Sequence, residues 1–139
     1  MIILDTNVLS ELMKFQCSEA VEGWIKAQSR RHLFTTAITK AEVLYGVAIL
    51  PQGARKRRLY EIAMALFQEE LSGKVLSFDP ISAEHFATIS ANRRTKGLSV
   101  SQSDAQIAAI CLAHQATIAT RNVKDFTDCQ LNIINPWEA

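Results

Sequence analysis

Short apolar runs that alternate with longer helix-like segments limit the folds open to this chain. The runs are rich in β-branched residues and end at polar or turn residues, as buried strands do; they are residues 1–4, 33–36, 75–78, 116–120 and 131–134. The segments between them carry apolar residues at helical spacing and are residues 8–14, 18–28, 39–50, 54–71, 82–94 and 104–112. Strands that are separated by helices pair in parallel through right-handed crossovers. The sequence therefore predicts an α/β fold, a mostly parallel sheet with helices on both faces.

Size and composition are those of one soluble domain spanning residues 1–139. The chain is 48% hydrophobic and 21% charged, so it has enough apolar side chains to bury a core. Its net charge of +1 says little about partners. Cys17, Cys111 and Cys129 are odd in number and form no CxxC pair, which disfavours a disulfide framework and a structural zinc site. No signal sequence or apolar run of about 20 residues is present, so we expect a cytoplasmic protein with no membrane partner.

Acidic residues occur where a parallel sheet presents its ligand-binding edge. Asp5 follows the first predicted strand directly, and Glu42 lies in the first turn of the helix after the second strand. Asp104 begins the Ala-rich helix, while Asn122 and Asp125 follow the strand at residues 116–120. In open α/β sheets, ligands bind in the crevice beyond the carboxyl ends of the strands. The pattern indicates a polar site at that edge.

Each of these acids also has a structural explanation. Asp5 is able to cap the following helix, and the spacings Thr39-x-x-Glu42 and Ser101-x-x-Asp104 fit a capping box. Convergence favours a functional site, because ionised carboxylates about 4 Å apart repel by roughly 4 kcal/mol per pair at an effective dielectric constant near 20. Such a cluster must take up protons or bind a cation, and an all-oxygen ligand set favours Mg²⁺ or Mn²⁺ over Zn²⁺.

Four motifs in fixed order carry a family resemblance. They are Ile3-Leu4-Asp5-Thr6-Asn7, Thr39-x-x-Glu42 followed by Gly46, Ser103-Asp104 leading into Ile107-Ala108-Ala109, and Thr120-Arg121-Asn122-x-x-Asp125-Phe126. With the closing Asn135-Pro136-Trp137, they resemble the PIN-domain family and, within it, the VapC-type ribonuclease toxins of prokaryotic toxin–antitoxin modules. No single motif is specific, but the resemblance extends over essentially the whole chain. It implies a Rossmann-like parallel sheet flanked by helices, in agreement with the strand and helix pattern.

The resemblance also implies a metal site and a reaction. Asp5, Glu42 and Asp104 match the family's acidic triad, which would hold Mg²⁺, or Mn²⁺ in its place, and hydrolyse RNA. Some relatives carry Asp where this chain has Asn122, so the fourth position is filled either by Asn122 as a neutral ligand or by Asp125. The expected activity is that of an endoribonuclease toxin that inhibits translation and growth, with tRNA as one candidate substrate.

Polar and basic residues around the acids have expected supporting roles. Thr6, Asn7 and Thr120 either orient the carboxylates or are turn and cap residues that follow strands. The basic residues expected to meet the RNA backbone are Arg121 beside the site, then Arg93, Arg94 and Lys96. The run Arg55 to Arg58 is better explained as a solvated helix start or a partner-binding face.

Protein partners are implied by the same resemblance. We expect a small VapB-like antitoxin, a two-fold symmetric homodimer within a higher toxin–antitoxin assembly, and contact with DNA only through the antitoxin. An antitoxin helix would occupy an apolar groove, with an antitoxin Arg or Lys entering the acidic pocket. Apolar residues exceed what the sheet needs, and some of them would line this groove: Leu12, Met13, Phe15, Leu50, Tyr60, Met64 and Phe67.

Two other functions are compatible with parts of the pattern. A haloacid-dehalogenase-like phosphatase also places an acid after its first strand, but it needs Asp-x-Asp where this chain has Asp5-Thr6-Asn7. A non-catalytic regulatory module of the PIN fold, acting within a DNA-bound antitoxin complex, is the stronger rival. The intact Asp5, Glu42 and Asp104 favour the catalytic interpretation.

Overall fold

A five-stranded parallel sheet forms the centre of the protein, as the alternating pattern predicts. The computed structural model describes residues 1–139, and the strand order is β3-β2-β1-β4-β5 with every neighbouring pair parallel. The strands are short: β1 Ile2–Leu4, β2 Leu33–Thr36, β3 Val75–Leu76, β4 Thr117–Ala119 and β5 Ile133–Ile134. The first strand therefore lies in the middle of the sheet, and the chain after it builds outward on both sides.

Six α-helices surround the sheet. They are α1 Thr6–Leu12, α2 Glu19–Ala27, α3 Ala37–Ala48, α4 Ala54–Ala65, α5 Pro80–Thr95 and α6 Gln102–Ala113. The long helix predicted for residues 54–71 changes at Leu66 into a π-helical turn, Leu66–Glu70, and the chain reverses at Gly73, whose φ of +73° suits glycine. None of the six helices combines the length and the hydrophobicity that a membrane span requires.

Two apolar cores lie on opposite faces of the sheet. Successive strand residues point to opposite faces, so Ile3 of β1 and Ile118 of β4 pack into one core with α6. Leu4 and Ala119, the next residue in each strand, pack into the other core, with residues from α1 to α4. Helix α6 contributes an unbroken buried run, residues 107–111, to the first core. The strands are consequently buried on both faces, which explains why they are continuous apolar runs.

Strands β1, β2 and β4 end at the same edge of the sheet. Ile3 of β1 lies opposite Phe34 of β2 and Ile118 of β4, and the backbone N–H of Asp5 donates to the carbonyl of Ala119 at 3.0 Å. The residues that follow these three strands are therefore neighbours in space. This edge carries the candidate site.

The capping-box prediction for Glu42 is wrong. Helix α3 begins at Ala37, directly after β2, and its N-cap is Thr36, whose Oγ1 accepts a hydrogen bond from the Thr39 N–H at 3.0 Å. Strand and helix meet without a linker, so the cap falls three residues earlier than the spacing suggests. Glu42 is thereby left free for contacts outside its own helix. The Ser101 cap is confirmed, since its Oγ accepts from the Asp104 N–H at 3.1 Å.

Candidate active site

Asp5 is the buried centre of the candidate site. Only 3% of the residue is exposed, and it directly precedes α1 as the N-cap residue. Its Oδ1 accepts from the Thr6 N–H at 2.8 Å. Its Oδ2 accepts from the Thr120 hydroxyl at 2.7 Å and from Asn7 Nδ2 at 3.1 Å. Both oxygens are thus fixed by residues that follow β1 and β4, so the orientation of this carboxylate is set by the fold.

Thr6 connects Asp5 to Glu42. Its backbone N–H binds Asp5, and its hydroxyl donates to Glu42 Oε1 at 2.7 Å. The same hydroxyl lies 3.2 Å from the hydroxyl of Thr39, which is fully buried in α3. One short side chain therefore sets the separation between two acids that come from α3 and the end of β1. Glu42 itself is exposed, and its other oxygen makes no hydrogen bond to the protein.

Asp104 is the third candidate acid. It lies in the first turn of α6, and Ser101 caps that helix. Burial raises the pKa of the Asp104 carboxyl, the Ser101 hydrogen bond opposes this, and the negative charges of Asp125 and Glu42 raise it further. Asp125 and Glu42 are therefore close enough to Asp104 for their charges to matter.

The charge at the site is negative, and it is only partly offset by the buried Arg93, whose positive charge lowers the pKa of Asp104. Burial raises the pKa of Asp5 to about 6; hydrogen bonds from Thr120 and Thr6 oppose the shift, and the charges of Asp104 and Glu42 add to it. None of the protein's four ion pairs includes Asp5, Glu42, Asp104 or Asp125. A cation is the ligand that this arrangement favours.

The candidate ligands suit a hard divalent metal, although they do not surround one common point. The candidate donors are carboxylate oxygens, with the Asn122 amide as the one alternative, and oxygen ligands suit Mg²⁺ and Mn²⁺. No three acidic, histidine or cysteine side chains lie close enough together to enclose a metal ion by themselves. Metal binding at this site would therefore require the carboxylates to approach one another, with water completing the ligand set.

The fourth position falls in the turn after β4. The N–H of Asn122 donates to the Thr120 hydroxyl at 3.0 Å, and Asn122 precedes the 3₁₀ turn Val123–Asp125. The Asn122 side chain is exposed and makes no hydrogen bond to the protein, whereas Asp125 is half-buried and acts on Asp104 through its charge. This geometry favours Asp125 over Asn122 as the source of the fourth charge.

The predicted RNA contact of Arg93 is wrong. Arg93 is only 3% exposed and extends from α5 into the protein, where Nη1 donates to the Thr127 carbonyl and Nη2 to the Ser99 carbonyl at 2.9 Å. Its Nε has no partner. The residue fits the last turn of a helix by spacing, but the sequence gives no sign that two loops fold over it. Arg94 and Arg121 are exposed, and Lys96 pairs with Asp128 at 3.3 Å.

An apolar groove of about 790 Å³ lies next to Glu42. Four of the predicted groove residues line it, namely Leu12, Met13, Phe15 and Leu50, together with Arg55 and Arg58 at its margin. Phe67 does not, because it is buried in the core beneath α4, and Tyr60 and Met64 lie outside the lining. The groove is formed between α1, α3 and α4, and its acidic end is Glu42.

Two threonines of the site region were not foreseen in their observed roles. Thr36 caps α3 and Thr39 supports the hydroxyl of Thr6, and both are fully buried. Their signal in the sequence is the group Thr35, Thr36 and Thr39, since three hydroxyl residues in an otherwise apolar strand and helix start must find internal partners.

A family model described as PIN domain matches residues 2–128. This range includes the acids and the threonines described above.

Similar proteins cover the chain from end to end. Plasmid stability protein StbB of Pseudomonas syringae pv. tomato is 42% identical over 139 residues, which is the whole of both chains. VapC ribonuclease Y4jK of Sinorhizobium fredii is 40% identical, and toxin FitB of Neisseria gonorrhoeae 35%, each over 99% of both chains. A solved structure of FitAB bound to an IR36 DNA fragment superimposes with a TM-score of 0.92 at 35% identity, covering 99% of this chain and 96% of that one.

Proposed function

Because the chain belongs to the PIN domain family, we propose that it is a metal-dependent endoribonuclease and the toxin of a toxin–antitoxin pair. The 40% identity to a VapC ribonuclease supports the proposed reaction, and the 35% identity to toxin FitB supports the proposed role as a toxin. Growth inhibition would follow from cleavage of RNA needed for translation, and tRNA is one candidate. Cleavage of such a substrate would take place in the cytoplasm.

One observation carries the proposal: buried Asp5 shares Thr6 with Glu42 and lies within electrostatic reach of Asp104. Three acids from three separate segments lie at one sheet edge and none of them forms an ion pair, although the charge of Arg93 acts on Asp104. A purely structural cap needs none of this convergence, since a single acid satisfies a helix N-terminus.

Each acid has a distinct task in the proposed site. Asp5 and Asp104 would hold Mg²⁺ or Mn²⁺, and the metal would supply an activated water and neutralise charge that develops on the phosphoryl oxygens. Thr6 keeps one Glu42 oxygen occupied, so the other oxygen is free to orient the attacking water or accept its proton. Asp125 would add the fourth charge beside Asp104, and Asn122 is the alternative.

Substrate binding is assigned to basic residues around the acidic edge. Arg121 lies next to Thr120, and Arg94 lines a cavity of about 570 Å³ at the start of α6, the helix that carries Asp104. Both are exposed and free of ion pairs. We assign both of them the binding of RNA backbone phosphates.

The activity is tested with purified, partner-free protein and a defined RNA pool that includes tRNA. We expect cleavage with Mg²⁺, none with EDTA, and products that carry 5′-phosphate and 3′-hydroxyl ends, because an external water rather than the 2′-hydroxyl attacks. A matched single-stranded DNA serves as the control substrate. Products with 2′,3′-cyclic phosphate ends would contradict the mechanism, and a pool left intact would favour the non-catalytic regulatory role.

The groove beside Glu42 is the proposed site for an antitoxin. An apolar helix of a VapB-like partner would cover Leu12, Met13, Phe15 and Leu50. A basic antitoxin side chain beyond that helix would reach Glu42 and compete with the metal for the acids. We assign DNA contact to the antitoxin alone; the similar FitAB complex is bound to an IR36 DNA fragment. The toxin subunits would pair as a two-fold homodimer.

A further inference from the structure

Arg121 is held at both of its ends. Its backbone N–H donates to Asn7 Oδ1 at 3.0 Å, and Asn7 Nδ2 in turn donates to Asp5 Oδ2 at 3.1 Å. One side chain therefore separates the Arg121 backbone from the most buried acid of the site. At the other end, the guanidinium carbon lies 5.0 Å from the ring centroid of Trp137. A cation at this distance is attracted to the face of an indole ring.

Trp137 is itself anchored to the sheet. It follows β5, which pairs with β4 through Ile118↔Ile133 and Ala119↔Ile134, so the residues after both strands leave the same edge. The backbone N–H of Trp137 donates to Asn135 Oδ1 at 3.0 Å, which fixes a tight turn. Its ring packs against the core formed with α1 to α4. The ring is thus a fixed platform and not a mobile tail.

The charge of Arg121 remains available. The side chain is exposed and takes part in none of the protein's four ion pairs. Its acidic neighbour Glu11 is already satisfied, since it accepts from Lys14 Nζ at 3.0 Å and from the Ser18 N–H at 2.9 Å. A guanidinium that lies over a ring and takes part in no ion pair keeps N–H donors available, and these match the oxygens of a phosphate.

We infer that Trp137 is a positioning residue for RNA: its ring holds the guanidinium of Arg121 at the sheet edge that carries the acids, and Arg121 binds a phosphate of the substrate backbone there. The inference rests on the proposed ribonuclease function and adds to it the way the substrate is held in register. A guanidinium that is ordered before binding loses less side-chain entropy when the phosphate arrives. The effect therefore falls on RNA affinity and KM more than on kcat.

A double-mutant cycle in the full-length chain tests the inference. The variants are Trp137→Leu, which keeps an apolar side chain without a π face, Arg121→Gln, and the two combined. Affinity for an end-labelled RNA oligonucleotide is measured by fluorescence anisotropy in EDTA, and KM and kcat are measured in Mg²⁺. We expect Trp137→Leu to weaken binding about two- to fivefold. In the Arg121→Gln background, it should have no further effect.

Trp137→Phe is the matched control, because it keeps an aromatic face beneath the guanidinium and should retain most of the affinity. Thermal unfolding of each variant checks that the core is intact. Equal loss from Trp137→Leu with and without Arg121 would overturn the inference, as would unchanged binding by Arg121→Gln or a wild-type protein that binds no RNA. Coupled loss of binding in a protein that cleaves nothing would instead remove the ribonuclease proposal and leave the positioning role.

Discussion

The carboxyl of Asp5 is costly to ionise where the fold holds it. It is 3% exposed, and burial followed by the charges of Asp104 and Glu42 outweighs the hydrogen bonds from Thr120 and Thr6, so its pKa is about 6. An unfolded chain would release this proton near pH 3.8. A difference of about two pKa units corresponds to about 3 kcal/mol of folding free energy. Ionisation of Asp5 therefore lowers the stability of the folded protein, and a bound cation would offset this cost.

The raised pKa of Asp5 predicts a specific pH dependence of stability in the metal-free protein. Because the folded state binds the Asp5 proton more tightly than the unfolded state, the stabilisation by this proton is complete below about pH 4 and is lost as the pH rises through 6. Urea unfolding of wild type and Asp5→Asn in EDTA from pH 4 to 7.5 measures it. The wild type should lose up to about 3 kcal/mol relative to the variant across this range. Parallel curves would show that Asp5 ionises freely.

Thr6 predicts a catalytic effect without a large stability effect. Thr6→Val keeps the N–H that binds Asp5 but removes the hydroxyl that donates to Glu42 at 2.7 Å. We expect roughly a 10- to 100-fold loss in cleavage rate, the range found when partners of metal ligands are removed. Thr6→Ser retains the hydroxyl and should remain near wild type. An unchanged rate in Thr6→Val would show that Glu42 needs no orientation.

At the level of elements, the sequence predicts what depends on neighbouring residues and misses what depends on distant ones. The parallel sheet and its polar edge follow from alternating runs such as Ile2 to Leu4, and all of the strands occur where they are predicted. The cap at Thr36 and the buried Arg93 depend on how a strand meets a helix and on where two loops close. Residue spacing along one element does not contain that information.

Arg93 is predicted to fasten α5 to two loops. Its guanidinium binds the carbonyls of Ser99, ahead of α6, and Thr127, beyond Asp125, so it joins the segments that carry Asp104 and Asp125. Arg93→Met should lower the free energy of unfolding by about 1–3 kcal/mol, since the carbonyls lose a charged donor. Arg93→Lys, which is able to reach one carbonyl at a time, should have a free energy of unfolding between those of the wild type and Arg93→Met. Urea unfolding measures the order, and a Met variant as stable as wild type would contradict it.

Substitutions in the turn after β4 test whether Asp125 or Asn122 fills the fourth position of the site. Asp125→Asn should raise the Mg²⁺ concentration for half-maximal cleavage, because it removes a charge that acts on Asp104. Asn122→Asp should lower that concentration only if residue 122 binds the metal. Asp128→Asn, an exposed acid paired with Lys96, is the control and should change nothing. Titration of activity against Mg²⁺ separates these cases, and no shift in any variant would leave three acids as the complete set.

For the whole molecule, the apolar groove predicts how the activity is controlled. Phe15 lines the groove and is fully exposed, so Phe15→Asp should leave the fold intact and weaken antitoxin binding more than tenfold. Ile81→Asp, at an exposed apolar site on α5, is the control. An antitoxin encoded beside the gene for this chain would be the partner, with binding measured by calorimetry and light scattering. A 15.5 kDa monomer that stays fully active beside that product would contradict both the antitoxin and the homodimer.

The most direct test is a single cleavage assay across four proteins. Wild type, Asp5→Asn, Asp104→Asn and the control Asp128→Asn are incubated with one RNA oligonucleotide while Mg²⁺ is titrated upward from EDTA. We expect wild type and Asp128→Asn to cleave only when Mg²⁺ is present, and the two site variants to remain inactive at every concentration although they fold. Cleavage in EDTA, or by either site variant at the wild-type rate, would contradict a metal-dependent acidic active site.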